Sequence, residues 1–274
     1  GLIPLKALTD AGKYFLKKQG LSAGANEKEL INIAVKTLGL NELKPFVPEE
    51  RIIEYLITNQ EDKELANKTV SDFIDSTASE SPAPGGGSVS ALCGALGAAL
   101  GAMVANLSAN KKGWEEQTEF FSHYAEQLQQ AKQQLLELID KDTQAFNQVM
   151  KAFSLPKNTE EEKNIRKKAI EEATFQAMMI PYHTMQIAQS CMDTLQIMAE
   201  KGNPNSVTDA GVGALCIRTA VLGAAMNVKI NAQSILHIDK VQEMLKEIEN
   251  IEKEIIEKEN KIREEVNNKI KILS

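Results

Sequence analysis

The chain has 274 residues, 43% hydrophobic and 25% charged, which is enough apolar material for a sizeable core and argues against wholesale disorder. A formal net charge of −7 disfavours nucleic acid as the main partner and means that an anionic small molecule needs a local basic cluster to hold it. Aromatic residues supply only 5% while Ala, Leu, Glu, Lys and Gln abound, a balance that favours helix over sheet.

Cys93, Cys191 and Cys216 are widely spaced and form no C-x-x-C, the pattern of reduced thiols in a cytoplasmic protein. His123, His183 and His237 show no ligand spacing, so no metal site is legible. The chain opens at Gly1 without a signal-peptide layout and reads as a fragment of a longer gene product.

Residues 1–59 hold three short helical patterns separated by Gly20, Gly39 and Pro45–Pro48, the last running from Pro48 to Leu56. So small a piece buries little by itself and is expected to complete something upstream. Residues 60–66 read as a polar connector, and the main unit as 67–274. A short amphipathic helix with Val70, Phe73 and Ile74 leads to Ser79-Glu-Ser-Pro-Ala-Pro-Gly-Gly-Gly-Ser88, where prolines and glycines stop one helix and release the next.

From Pro82 to Asn110 there is no charged residue, and the stretch is long enough to span a bilayer. Gly, Ala and Ser dominate it, however, and its larger residues (Val89, Leu92, Leu96, Leu100, Met103, Val104, Leu107) recur at helical steps. The reading is a core helix over about 89–109 whose small residues admit close neighbours, with no membrane partner.

A long helix is expected over 115–153 with Phe120, Leu128, Leu135, Ile139, Phe146 and Val149 on its apolar stripe. Leu155-Pro-Lys-Asn-Thr159 breaks it, and Thr159-x-x-Glu162 is a capping-box signature for the next helix, in which Pro181 predicts a kink. Ser206-x-x-Asp209 opens a second small-residue helix, 210–232, expected to pack closely on the first. Residues 238–273 form a charged amphipathic helix, long enough to flank a bundle or mediate pairing. The fold class is therefore all-α: a bundle of long antiparallel helices with two small-residue-rich core helices and no strand.

Four places could carry chemistry. Bare amides at Pro84-Gly-Gly-Gly-Ser88 can receive an anion or a carbonyl oxygen, or simply form a tight turn capped by Ser88. In Asp140-Lys-Asp142, residues two apart do not share a helix face, so at most one carboxylate points inward. Asp142 lies nearer the buried side, as a paired or functional group or as a boundary residue reaching water. Asp209 is explained by capping with Ser206. Asn227 and Asn231, one turn apart, suit either a hydrogen-bonding heterocycle or a neighbouring helix. Lys111-Lys112 and Lys157 are the basic residues nearest the loops.

These segments also carry a family likeness. Ser81-Pro-Ala-Pro-Gly-Gly-Gly-Ser-Val-Ser-Ala-Leu-Cys-Gly-Ala-Leu-Gly-Ala-Ala-Leu100 resembles the signature of the formiminotransferase-cyclodeaminase family. So do Asp140-Lys-Asp-Thr-Gln-Ala-Phe146, Leu155–Thr159, Ser206-Val-Thr-Asp209 and Gly223-Ala-Ala-Met-Asn-Val-Lys-Ile-Asn231, in order over about 65–235. Gly1–Leu8 and Pro45–Leu56 look like the end of the formiminotransferase C-terminal subdomain.

The resemblance implies closure of 5-formiminotetrahydrofolate to 5,10-methenyltetrahydrofolate with loss of ammonia, in cytoplasmic histidine degradation, without a metal or redox cofactor. It places the active-site carboxylate at Asp142 and pocket residues at Gly85, Gly86, Gly87, Ser88, Lys112, Lys157, Asp209, Asn227 and Asn231. Asn110-Lys-Lys-Gly113 departs from the family pattern, in which a small residue and Gly precede a basic pair. Implied partners are tetrahydrofolate derivatives, polyglutamated, an upstream formiminotransferase domain, and further copies in a homodimer or larger homo-oligomer. A methenyltetrahydrofolate cyclohydrolase of the same family and a non-catalytic helical assembly module are the alternatives.

Overall fold

A computed structural model describes residues 1–57, 64–235 and 238–270. The regular elements among the described residues are all helical, in keeping with the composition. The N-terminal unit holds α1 (Leu5–Lys18), α2 (Glu27–Thr37), α3 (Pro48–Arg51) and α4 (Ile53–Ile57). The predicted helix over 48–56 is broken at Ile52, which leaves helical geometry to pair with Ile3 in an isolated parallel bridge. That break buries Ile52 completely, in a small core of its own with Leu8, Ile31, Ala34 and Val35.

The main body comprises α5 (Val70–Thr77), α6 (Gly86–Ala109), α7 (Thr118–Phe153), α8 (Glu160–Lys201), α9 (Val207–Ala232) and α10 (Asp239–Lys269). The five long helices alternate in direction. Ser88 of α6 meets Ile139 of α7 while Gly101 meets Leu128, so the two run antiparallel. Asn231 of α9 reaches Ala177 of α8 while Gly213 meets Leu195, and Arg218 and Lys229 of α9 pair with Glu259 and Glu252 of α10. The capping box at Thr159 forms in full, and α8 continues unbroken through Pro181 to Lys201.

The two small-residue helices pack on each other as expected, and the reason is steric. A Cβ on Gly97 would lie 2.8 Å from the backbone oxygen of Gly213, so the two backbones can approach only without it. The face α6 turns inward is its small one: Gly94, Ala95, Ala98, Gly101, Ala102 and Ala105 are buried. Several of its large residues, which periodicity aligns on one face, point outward instead, with Leu96 51% exposed and Met103 and Leu107 exposed as well. By length and composition both α6 and the 204–235 stretch could cross a membrane; here they are the centre of the bundle.

Three details differ from the sequence reading. Phe121, not Phe120, is the buried aromatic at the start of α7. No side chain of Ser206 caps α9, because residues 204–206 form a 3-10 turn that runs directly into the helix. The cap has moved back to Asn203, whose side chain accepts from Asn205 N–H. Finally, Leu65 of the supposed polar connector is buried in the bundle core.

Gly97→Ala tests the close approach. Helix propensity alone would favour alanine by about 1 kcal/mol, yet the overlap with Gly213 should make the variant less stable by about 1–3 kcal/mol in urea unfolding.

Candidate active site

Gly85 has extended backbone and precedes the first helical turn of α6; Gly86, Gly87 and Ser88 open that turn, where backbone N–H groups have no partner within the helix. Ser88 is therefore not the cap that the turn reading assigned to it. It is completely buried, and its Oγ donates to the carbonyl of Ile139 at 2.8 Å. The same oxygen lies 3.3 Å from Asp142 Oδ2 and 3.3 Å from Thr143 Oγ1. One hydroxyl carries one proton, and the shorter contact is to Ile139, so the Asp142 carboxyl receives only part of its support from that hydroxyl.

Gly87 explains why the carboxyl fits. A Cβ there would fall within the Asp142 carboxyl group, so the aspartate occupies the space that the glycine leaves open. Burial pushes the Asp142 carboxyl above its ordinary value of 3.8, and the Ser88 hydroxyl and amide draw it back only in part. The result is a half-buried carboxyl poised over the N-terminal amides of α6.

The neighbouring Asp140 corrects the expectation that only one of the pair points inward. Asp140 is the more deeply buried, 4% exposed, and accepts from Leu65 N–H at 2.7 Å and Ala66 N–H at 3.0 Å. The two carboxyls do occupy different sides of α7, but α7 is covered on both: by α6 on one and by residues 65–66 on the other. Asp140 is thus a tether for the segment entering the bundle. Sequence reasoning missed that role because its partners are backbone amides of a segment 74 and 75 positions away.

Asn227 joins the same end of the bundle. Its Nδ2 donates to Gly223 O at 2.9 Å, and a Cβ on Gly86 would lie 3.2 Å from that nitrogen. Asn231, one turn further, donates to Ala177 O of α8 at 3.3 Å. A cleft of about 450 Å³ between α7 and α8 opens one turn past Asp142, at Ala145 and Gln148. Lys157 lies at the α7–α8 turn, in a basic cleft of about 320 Å³ shared with Lys163, Arg166 and Lys167.

The structure therefore brings Gly85, Gly86, Gly87, Ser88, Asp142 and Asn227 together, with Asn231 beside them. It does not bring Lys112 or Asp209 to them within one chain. Lys112 is exposed beyond the C-terminus of α6, whose rise from Gly87 to Ala109 alone is about 33 Å at 1.5 Å per residue. Asp209 is in the first turn of α9, about 27 Å along that helix from Asn227. Among the described residues no group of three or more His, Cys, Asp or Glu is gathered as a metal site; His237 lies outside them.

Residues 69–250 match the family model described as Formiminotransferase-cyclodeaminase, and residues 1–58 match that of the Formiminotransferase domain. The chain belongs to the formiminotransferase-cyclodeaminase family. Among its relatives in that family, the formimidoyltransferase-cyclodeaminase of Gallus gallus is 39% identical over 236 residues, 86% of this chain but 43% of the relative. The chain thus spans less than half the length of that protein. The methenyltetrahydrofolate cyclohydrolase of Methylorubrum extorquens is 38% identical over 204 residues, 74% of this chain and 98% of its own. The crystal structure of the formiminotetrahydrofolate cyclodeaminase of Thermotoga maritima superposes with a TM-score of 0.62 at 26% identity, covering 76% of this chain and 98% of that one.

For this family member, the raised Asp142 has a sign-definite effect on stability. A carboxyl whose pKa is higher folded than unfolded stabilises the fold in its protonated form, and that contribution is lost as pH rises through the folded value. Asp142→Asn should therefore melt above the parent at neutral pH, with the gap closing as pH falls below about 4. Thermal melts between pH 3.5 and 8 check this; a parent as stable as the variant at neutral pH would contradict it.

Proposed function

We propose that this chain is the cyclodeaminase part of the enzyme, converting 5-formiminotetrahydrofolate to 5,10-methenyltetrahydrofolate plus ammonia, as an ammonia-lyase step of histidine degradation in the cytoplasm. The observation that supports it most directly is the desolvated Asp142 carboxyl, seated against Gly87 and Ser88 beside Asn227.

In the proposed chemistry the protonated formimino group on N5 is the electrophile. N10 attacks its carbon, the new C–N10 bond forms, and the C=N electron pair moves to the imino nitrogen. The proton on N10 passes to the Asp142 carboxylate. Asp142 then returns it to the amino group of the tetrahedral intermediate, and ammonia departs with the C–N pair while N5 closes the methenyl cation. One group serves as base and then acid, which suits a carboxyl whose pKa is raised towards the working pH. The cationic reactant and product are also favoured by an adjacent carboxylate. Asn227 and Asn231 orient the pterin, and the basic cleft of Lys157, Lys163, Arg166 and Lys167 takes the carboxylates of the glutamate tail, polyglutamated or single.

The test is to add 5-formiminotetrahydrofolate to the protein and follow methenyl absorbance together with released ammonia. Asp142→Asn should fold yet lose about 10²–10⁴-fold in turnover. Gly87→Ala, which pushes the carboxyl out of place, should lose about 10²-fold. Full turnover by a folded Asp142→Asn protein would remove that residue from the mechanism. The similarity to the Methylorubrum extorquens protein favours one other reading, hydrolysis of methenyltetrahydrofolate. It predicts consumption of the methenyl compound with no ammonia in the balance.

A homodimer is proposed alongside this activity. Leu96 and Met103 of α6 and Val212, Leu215, Met226 and Ile230 of α9 are exposed. Met226 and Ile230 adjoin Asn227 and Asn231 in sequence, so a second copy seated there would border the site. Met226→Glu should lower the mass measured in solution to that of one chain and reduce turnover in parallel; unchanged mass would contradict the arrangement.

A further inference from the structure

Ser22, Ala23 and Gly24 connect α1 to α2, yet all three are buried, and what buries them is the bundle. Ser22 N–H donates to Asn110 Oδ1 at 2.8 Å and Ser22 Oγ to Asn106 Oδ1 at 2.7 Å. Ala23 N–H donates to Ser122 Oγ at 2.9 Å. The carbonyl of Gly24 accepts from Asn106 Nδ2 and from Gln129 Nε2, each at 2.9 Å. Lys132 Nζ in turn donates to Gln129 Oε1 at 2.6 Å, which fixes the orientation of that amide. The fit excludes a side chain at position 24, because a Cβ on Gly24 would overlap the Cβ of Ala125.

The hydrophobic cores of the two units do not merge: Leu8, Ile31, Ala34, Val35 and Ile52 cluster apart from the bundle core. Ion pairs from Lys13 and Lys17 to Glu126 also cross between them, but these are partly exposed and contribute little. The polar seat of the tripeptide supplies the directional contacts: each of these hydrogen bonds is made by a side chain of α6, of Asn110 just past its end, or of α7, to backbone or a short hydroxyl.

We propose that Ser22-Ala23-Gly24 is a docking plug, and that the groove of Asn106, Asn110, Ser122, Ala125 and Gln129 is its receptor, fastening the N-terminal unit to the bundle independently of the covalent connection. Residues 1–58 match the Formiminotransferase domain, so the plug holds transferase-domain material on the helical domain as a fixed pair. The groove's partner is thus a small-residue peptide recognised through its backbone. None of this depends on the chemistry assigned to Asp142.

The test inserts a protease recognition sequence between Gln60 and Glu61, cleaves the folded chain and follows the pieces by size exclusion. The two pieces of the parent should co-elute, and should still do so in 1 M salt, which would screen the Lys13 and Lys17 pairs. Gly24→Val should release them while the bundle keeps its helical circular dichroism. Should that variant not fold, the Asn106→Ala and Ser122→Ala double variant removes three of the hydrogen bonds without a steric demand. Its pieces should associate about 100-fold more weakly. Separation of the parent's pieces on cleavage or in salt, co-elution in Gly24→Val, or undiminished affinity in the double variant would each overturn the proposal.

Discussion

The approach of α6 to its neighbours through a face of glycines and alanines is the constraint on which the rest of this molecule depends. Gly97 meets the backbone of Gly213, Gly94 receives Leu135 and Gly101 receives Leu128 and Leu195, so that α7, α8 and α9 all gather around one helix. Dispersion contacts are made at short range by atoms of the backbone itself, and a single added methyl would hold the helices apart. The same logic carried to the N-terminus of α6 leaves Gly87 facing α7. There the space goes to a carboxyl group instead of an apolar side chain.

The bundle buries two carboxylates, Asp140 on α7 and Glu259 on α10, and half-buries a third, Asp142, and how each is satisfied separates structure from chemistry. Asp140 accepts from two backbone amides, and Glu259, fully buried, is held by Arg218 and Arg263. Each has a donor on both of its oxygens, the kind of pairing that a buried carboxylate needs. Asp142 is supported by the Ser88 amide and by a hydroxyl whose shorter bond is to a carbonyl, and burial prevails. A carboxyl raised by burial in this way is what makes Asp142 the candidate for proton transfer in the proposed chemistry.

Packing by the small face has a consequence on the outside. Larger residues that would ordinarily form the core side of α6 and α9 are turned to the surface, Leu96 and Met226 among them. These exposed apolar residues are the ones on which the proposed pairing of copies draws.

Much of this was legible from the residues in order. The absence of charge between Pro82 and Asn110, the run of three glycines, the capping box at Thr159 and the spacing of apolar residues specify helices, their ends and the all-α class, because those signals are local and act within one or two turns. Local signals left Asp142 open as a paired, functional or boundary residue, and the family likeness alone placed the active-site carboxylate there. They could not tell that Ser88 grips α7 instead of capping α6, that Asp140 tethers Leu65, or that Ile52 leaves its helix to pair with Ile3. The separation of Lys112 from Gly87 and of Asp209 from Asn227 does follow from the predicted helix lengths, but which helix ends meet does not. Those outcomes belong to the tertiary structure: a side chain's role is set by whichever atoms the packing of distant helices brings within about 3 Å of it, and that information is absent from its neighbours in the chain.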